Sequence, residues 1–298
     1  MATPQTIAHP IATAVRTRRR GFRLAMLCAP AIVLLIIFFA FPLAENALRS
    51  FGFDVQAGLP KGNPLRSYAK LFTDSYYRGV IINTVLVSFY TTVLCLVIGY
   101  PVAHFMVRRA GRFAMPLLFL LITPLLTSII MRSFGWRVLF ARHGPINSAL
   151  MWLHIVDHPL RVLGGPLGVY IGLVHIMAPF MVLSIIPVLR GVDPRMEESA
   201  RILGAGAIRT FLLVTLPLTA EGIATGCILV FMLTNGSFVT QLLLGDGSVV
   251  TLPLLIFQQF SLTQDLGFAS AMGNVLLVIV LIGLYLQLRL SSSSETKQ

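Results

Sequence analysis

The chain has 298 residues, of which 56% are hydrophobic and only 11% charged, with a formal net charge of +12. A soluble domain carries about 25% charged residues, so this much apolar surface calls for the bilayer as solvent and not for a single aqueous core. The positive charge is spread over loops between apolar runs, without the aromatic and basic interleaving of RNA- or DNA-binding surfaces, so nucleic acid is excluded as a partner.

Arg16, Arg18, Arg19, Arg20 and Arg23 stand ahead of an apolar run from Leu24 to Ala44. A secretory signal would share the basic start and a small residue near Ala44, but signal cores run to about 15 residues and this run is long enough to cross a bilayer. It reads as an uncleaved first helix behind a basic tail, residues 1–23. Further stretches of bilayer length fall at 80–107, 113–131, 167–189, 218–240 and 267–288. The fold class is therefore an all-α integral membrane protein of about six spans, with a transmembrane region over 24–290 and a short tail over 291–298. The third span is short and interrupted by Pro116 and Pro124. Cys28, Cys95 and Cys227 each lie in a span, and an odd number in apolar surroundings reads as three small hydrophobes, not a disulfide framework or a metal site.

An even number of spans puts both termini on one side, and the basic start places that side in the cytoplasm. Fourteen Lys and Arg then lie inside and nine outside, the direction that the positive-inside rule demands. The outer segment with Arg132, Arg137, Arg142 and Arg161 runs against the bias and reads as folded over the outer face of the bundle. In the fourth span, Pro179 and Pro187 either kink the helix in the ordinary way or break it beside a translocation path. With His175, Phe180 and Phe231 they form the candidate pathway set. His104 and His175 read first as hydrogen-bonded packing residues, with a functional intramembrane role as the alternative.

The segment 190–217 is the most informative in the chain. Asp193 before Pro194 is a strong helix start, because aspartate caps free N–H groups and proline is tolerated at the first helical position. Glu197 and Arg201 stand four apart, suited to a helical ion pair. Met196, Ala200 and Leu203 recur on one face. Gly204 and Gly206 permit a turn, and a second short helix is expected from about Ala207 to Leu216, ending at Pro217. An interfacial helix lying on anionic lipid would also use Arg195, Arg201 and Arg209, but has no need of two glutamates or a glycine pivot.

Glu198-Ser199-Ala200, Gly204, Val214 and Leu216-Pro217 reproduce the spacing of the "EAA" loop in permeases of binding-protein-dependent ABC importers, with Ser199 and Val214 as the departures. The segments at 123–140, 170–194 and 236–248 resemble the polyamine (spermidine/putrescine) branch of that family. The resemblance implies a type I importer permease in a bacterial inner membrane. Its docking loop would comprise Glu197, Glu198, Ser199, Ala200, Arg201, Gly204, Leu216 and Pro217, and would insert into a cleft of an ATPase subunit. It also implies a second homologous permease, an extracytoplasmic solute-binding protein and membrane lipid as partners.

Lys61, Lys70 and Lys297 follow Pro60, Ala69 and Thr296, so no glycine–lysine phosphate loop exists. The chain is not expected to be an enzyme or to hold a cofactor, and ATP and Mg would be bound by the partner ATPase. An ion-coupled secondary transporter with an interfacial cytoplasmic helix is the alternative. It would want intramembrane carboxylates, whereas Glu45 and Glu221 stand at span ends and Asp246 and Asp265 in an outer loop. Within the spans the chain offers aromatics (Phe38, Phe89, Phe180, Phe231) and no carboxylate.

Overall fold

The computed structural model describes residues 29–54, 59–60 and 65–295. The arginine cluster at 16–23, the first residues of the first span with Cys28, Lys61 and Lys297 lie outside the described residues. The described chain is helical apart from one antiparallel ribbon, β1 (Phe53–Asp54) and β2 (Leu59–Pro60), in which Phe53 faces Pro60. In chain order the helices are α1 (Ala29–Ser50), α2 (Arg66–Thr73), α3 (Ser75–Arg108), α4 (Gly111–Leu126), α5 (Ile129–Leu139) and α6 (Pro145–Trp152). They continue as α7 (Pro166–Gly191), α8 (Pro194–Ile202), α9 (Ala207–Leu218), α10 (Ala220–Asn235), α11 (Val239–Leu244), α12 (Leu252–Thr263) and α13 (Leu266–Glu295).

Among the described residues four helices, α1, α3, α7 and α13, are each long and apolar enough to cross a bilayer, and six spans are reached if each of two bent pairs counts as one crossing. The third expected span, 113–131, is one of these pairs: α4 and α5 meet at 99°. Pro124 opens a last 3₁₀ turn of α4, Thr127 is extended, and the Ser128 hydroxyl caps α5 by accepting from the Ile130 N–H at 3.3 Å. The fifth, 218–240, is the other: α9 runs through Pro217 instead of ending there, the chain bends by 71° at Thr219, and α10 stops at Asn235. Pro179 and Pro187, by contrast, do not break their helix, because α7 is continuous from Pro166 to Gly191. The helix-breaking reading of those prolines is wrong; neighbouring helices hold the segment straight enough to stay helical.

At the centre α3, α7 and α10 pack on one another. Cys95, Tyr100, Ala103 and Met106 of α3 meet Ile176, Met181, Val182, Ile185 and Leu189 of α7 and Val230 of α10 in one buried cluster. Glycine sets the separation. A methyl on Gly99 would lie 3.1 Å from Met181 Cγ, and one on Gly226 would lie 2.6 Å from Met181 Sδ. Both contacts place the Met181 side chain, 0% exposed, between two bare backbones. At the periphery α1 joins α13 through a polar cluster in which the Asn46 amide donates to Asn274 Oδ1 at 2.9 Å and Asn274 donates to Ser50 and Tyr68.

The close approach at Gly226 gives a direct test. Gly226→Val should lower the thermal midpoint of the detergent-purified protein, since overpacking of this kind costs about 1–3 kcal/mol. Gly79→Val, on α3 where nothing lies within 4 Å, should leave it close to that of the parent.

Candidate functional site

The segment 190–217 forms a compact helix–turn–helix at one end of the bundle. α7 ends at Gly191, Val192 is extended, and the Asp193 carboxylate caps α8 by accepting from the Arg195 N–H at 2.9 Å, with Pro194 at the first helical position as expected. α8 closes on a Schellman turn: the Ala205 N–H donates to the Ala200 carbonyl at 3.0 Å and the Gly204 N–H to Arg201 at 3.0 Å. Gly204 sits at φ +87°, with open space where a Cβ would stand. Glycine is needed there for the left-handed backbone and not for room.

Glu197 does not pair with Arg201. Its carboxylate turns inward to the last residue of α3, where Arg108 Nη2 lies 3.0 Å and Nε 3.1 Å from Oε1. Arg108 Nη2 also donates to the Val192 carbonyl at 2.9 Å. A solvated local pair is worth a few tenths of a kcal/mol, whereas this pair is shielded, with 12% and 10% of the two side chains exposed. The tertiary partner therefore displaces the local one. The expected apolar face fares differently too: Met196 is 48% and Leu203 88% exposed, so α8 is fastened to the bundle by a charge and presents part of its apolar surface outward.

With Glu197 turned in, Glu198, Ser199 and Arg201 are exposed and Ala200 half-buried. Ile202, Leu203 and Ile208 crown the tip at 86%, 88% and 77% exposure. Beyond the turn, Phe211 packs edge-on against Tyr100 at 5.2 Å and His104 at 6.3 Å, and the Tyr100 and Thr219 hydroxyls lie 2.8 Å apart. Leu216 and Pro217 line an apolar groove of about 890 Å³ with Tyr100, His104 and Phe211. His104 is thus a packing partner of the loop through a ring contact, without the hydrogen bond that its first reading included.

The candidate pathway residues do not converge. His175 and Pro179 line a second apolar groove, of about 780 Å³, against α3 and α4, and His175 meets Trp136 of α5 edge-on at 5.3 Å. Phe180 packs against the central cluster, Phe231 lies over Gly283 of α13, and Pro187 is exposed. A different set stands out among the described residues. Thr91, Ser133, Thr234, Asn235, Thr240 and Gln241 are almost fully buried, and each has a side-chain polar atom without a partner in the chain. α11, carrying Thr240 and Gln241, packs across α5, carrying Ser133, and Arg137 of α5 donates to the Leu243 carbonyl at 3.2 Å. Sequence reasoning missed these residues. The signal was an uncharged amide in an otherwise apolar run, weaker than a charge. It also missed Arg108, counted only as a topology charge, although Tyr100, His104 and Arg108 repeat every four residues along one helix face.

No family model matches the chain. The spermidine/putrescine transport system permease protein PotB of Salmonella typhimurium is 34% identical over 216 residues, covering 72% of this chain and 75% of that protein. PotB of Haemophilus influenzae is 34% identical over 223 residues, covering 74% and 78%. The inner membrane ABC transporter permease protein YdcU of Escherichia coli is 27% identical over 235 residues, covering 74% of each chain. Among solved structures, a bacterial ABC transporter involved in the import of the acidic polysaccharide alginate superposes with a TM-score of 0.75 at 18% identity, covering 93% of this chain and 99% of that one. The MetNI methionine ABC transporter, in an inward-facing conformation, superposes at 0.53 with 15% identity, covering 74% of this chain and 99% of that chain.

The left-handed turn predicts a local effect of substitution. Gly204→Ala should cost roughly 1–2 kcal/mol at this one turn, so hydrogen exchange at the Gly204 and Ala205 amides should speed up about tenfold. Gly204→Asn, which enters that conformation more readily, should have a smaller effect.

Proposed function

This chain belongs to the PotB family of spermidine/putrescine transport permeases, the membrane subunits of ABC importers, and we propose that it forms half of the path for a polyamine-type solute. The push that drives transport enters through residues 190–217. What supports the docking role is the division of the two glutamates: Glu197 is used up inside the protein, while Glu198, in register with the family's motif, faces outward beside Ile202 and Leu203. Such a surface, one charge beside exposed apolar side chains on a capped and pinned helix, suits a cleft in a soluble ATPase better than a lipid headgroup layer. ATP and Mg²⁺ belong to that partner, and hydrolysis with them. A second, homologous permease completes the path, an extracytoplasmic binding protein delivers solute, and both termini lie in the cytoplasm.

The substrate class rests on the relatives' names and on the chemistry available. A polycation needs oxygen acceptors, and the described residues offer neutral ones: Gln241 Oε1, Asn235 Oδ1 and the hydroxyls of Thr91, Ser133, Thr234 and Thr240 have no partner in the chain. Buried polar atoms left unpaired cost about 1–3 kcal/mol each, so they favour a hydrogen-bonding occupant. Neutral oxygens hold an ammonium weakly enough to release it, as conduction requires.

Two measurements test this reading. Glu198→Lys and Gly204→Asp should insert normally yet lose retention of the cognate ATPase by about tenfold to a hundredfold, the equivalent of one charge-assisted contact of about 1.5–3 kcal/mol. Spermidine uptake should fall with it. A loop that serves only as a lipid anchor would instead hold the anionic membrane more tightly after Glu198→Lys and leave uptake unchanged. Gln241→Leu should keep ATPase retention but reduce spermidine uptake about fivefold, the worth of one hydrogen bond of about 1 kcal/mol.

A further inference from the structure

The docking segment touches α3 at three levels of one stripe. Arg108 holds the entry of the segment, through Glu197 and the Val192 carbonyl. His104 and Tyr100, one and two turns back, receive Phe211 from its middle, and the Tyr100 hydroxyl meets Thr219 at its exit. Positions four and eight apart lie along one side of a helix. Tyr100 is 4% and Thr219 0% exposed, so the exit contact is as dry as the entry pair is shielded. At its far end α3 is fastened again: the Asn83 amide donates to the Val250 carbonyl at 2.7 Å, and Thr84 Oγ1 accepts from the Leu252 N–H at 2.8 Å.

We propose that Tyr100, His104 and Arg108 are positioning residues that make α3 the lever of this permease, clamping both ends of the docking segment so that its displacement reaches the far end of the bundle. The inference rests on the docking reading of residues 190–217. A docking helix joined to the bundle only through Val192 and Thr219 would dissipate a push by bending at those two non-helical residues. Arg108 removes that freedom at the entry, because a guanidinium holding a carboxylate and a carbonyl at once fixes both angle and distance. α3 is helical over 34 residues, continuous through Pro101 between Tyr100 and His104, and is about 50 Å long at 1.5 Å per residue. Movement at its Arg108 end is therefore carried to Asn83 and Thr84, and through them to the start of α12. Coupling of this kind needs one rigid element shared by two sites.

The test uses the permease assembled with its ATPase, with spin labels at Ile82 on α3 and Leu281 on α13, both exposed apolar positions, in a background without native cysteines. In the parent complex the distance between labels should shift between the nucleotide-free and the ATP–vanadate-trapped states. Arg108→Gln should keep ATPase retention within about twofold but cut the shift by at least about half, and the charge swap Arg108→Glu with Glu197→Arg should recover part of it. Tyr100→Phe, which deletes one hydroxyl and keeps the ring in the core, should give a smaller loss in the same direction. An undiminished shift in Arg108→Gln would overturn the proposal, as would the absence of a shift in the parent. So would loss of ATPase retention in Arg108→Gln, which would make Arg108 a prop for the docking surface alone. Failure of the docking reading shows separately, as a parent permease that does not retain its ATPase.

Discussion

Three helices can share one line of contact here only because glycine removes the side chains that would hold them apart. In hydrocarbon, burying a leucine gains little over leaving it in lipid, so helices associate where backbones come close enough for dispersion contacts to accumulate. Met181 fills that line, against Gly99 on one side and Gly226 on the other. The placement of residues 190–217 depends on this triad. α3 brings Arg108 to the end of the bundle that carries residues 190–217, α7 runs directly into that segment, and α10 receives the chain as it leaves. Move α3 outward by a side chain's width and Arg108 no longer reaches Glu197.

Charge is then used sparingly and at the edge. The core is held by shape, whereas residues 190–217 are oriented by the shielded Arg108–Glu197 pair, the Arg108–Val192 hydrogen bond and the Tyr100–Thr219 hydroxyl contact, beside the packing of Phe211. Such contacts have direction, which dispersion lacks. They fix how α8 is turned, and so which glutamate points out. A shielded pair is not by itself evidence of stability, because desolvation offsets much of the attraction. Its value lies in orientation.

Much of the segment 190–217 could be read from sequence because its rules are local. Asp193 with Pro194 starts a helix and Gly204 ends one whatever surrounds them, and both stand where expected. The long apolar runs were equally plain. What failed were the properties that depend on a neighbour. Glu197 was matched to Arg201 by spacing, but a better-shielded partner stood 89 residues away in sequence. Met196 and Leu203 followed helical spacing, yet they face outward because the bundle grips α8 through its acid. Pro179 and Pro187 carry a breaking tendency that packing overrides, while Thr219, unremarked in sequence, bends the chain. The pathway candidates were picked as aromatic, imidazole and proline; apart from the Arg132 guanidinium, the buried groups without partners among the described residues are amides and hydroxyls, which only the three-dimensional arrangement exposes as unpaired.

On the proposed function, the face of α8 left outward by the Arg108–Glu197 pair is a protein-docking face. A photoreactive amino acid placed at Ile202, 86% exposed at the tip, tests it most directly in native membranes. A docking face should give an adduct with the ATPase subunit, lost when Glu198→Lys is combined with it. Adducts with lipid alone, in membranes that contain the assembled transporter, would contradict it.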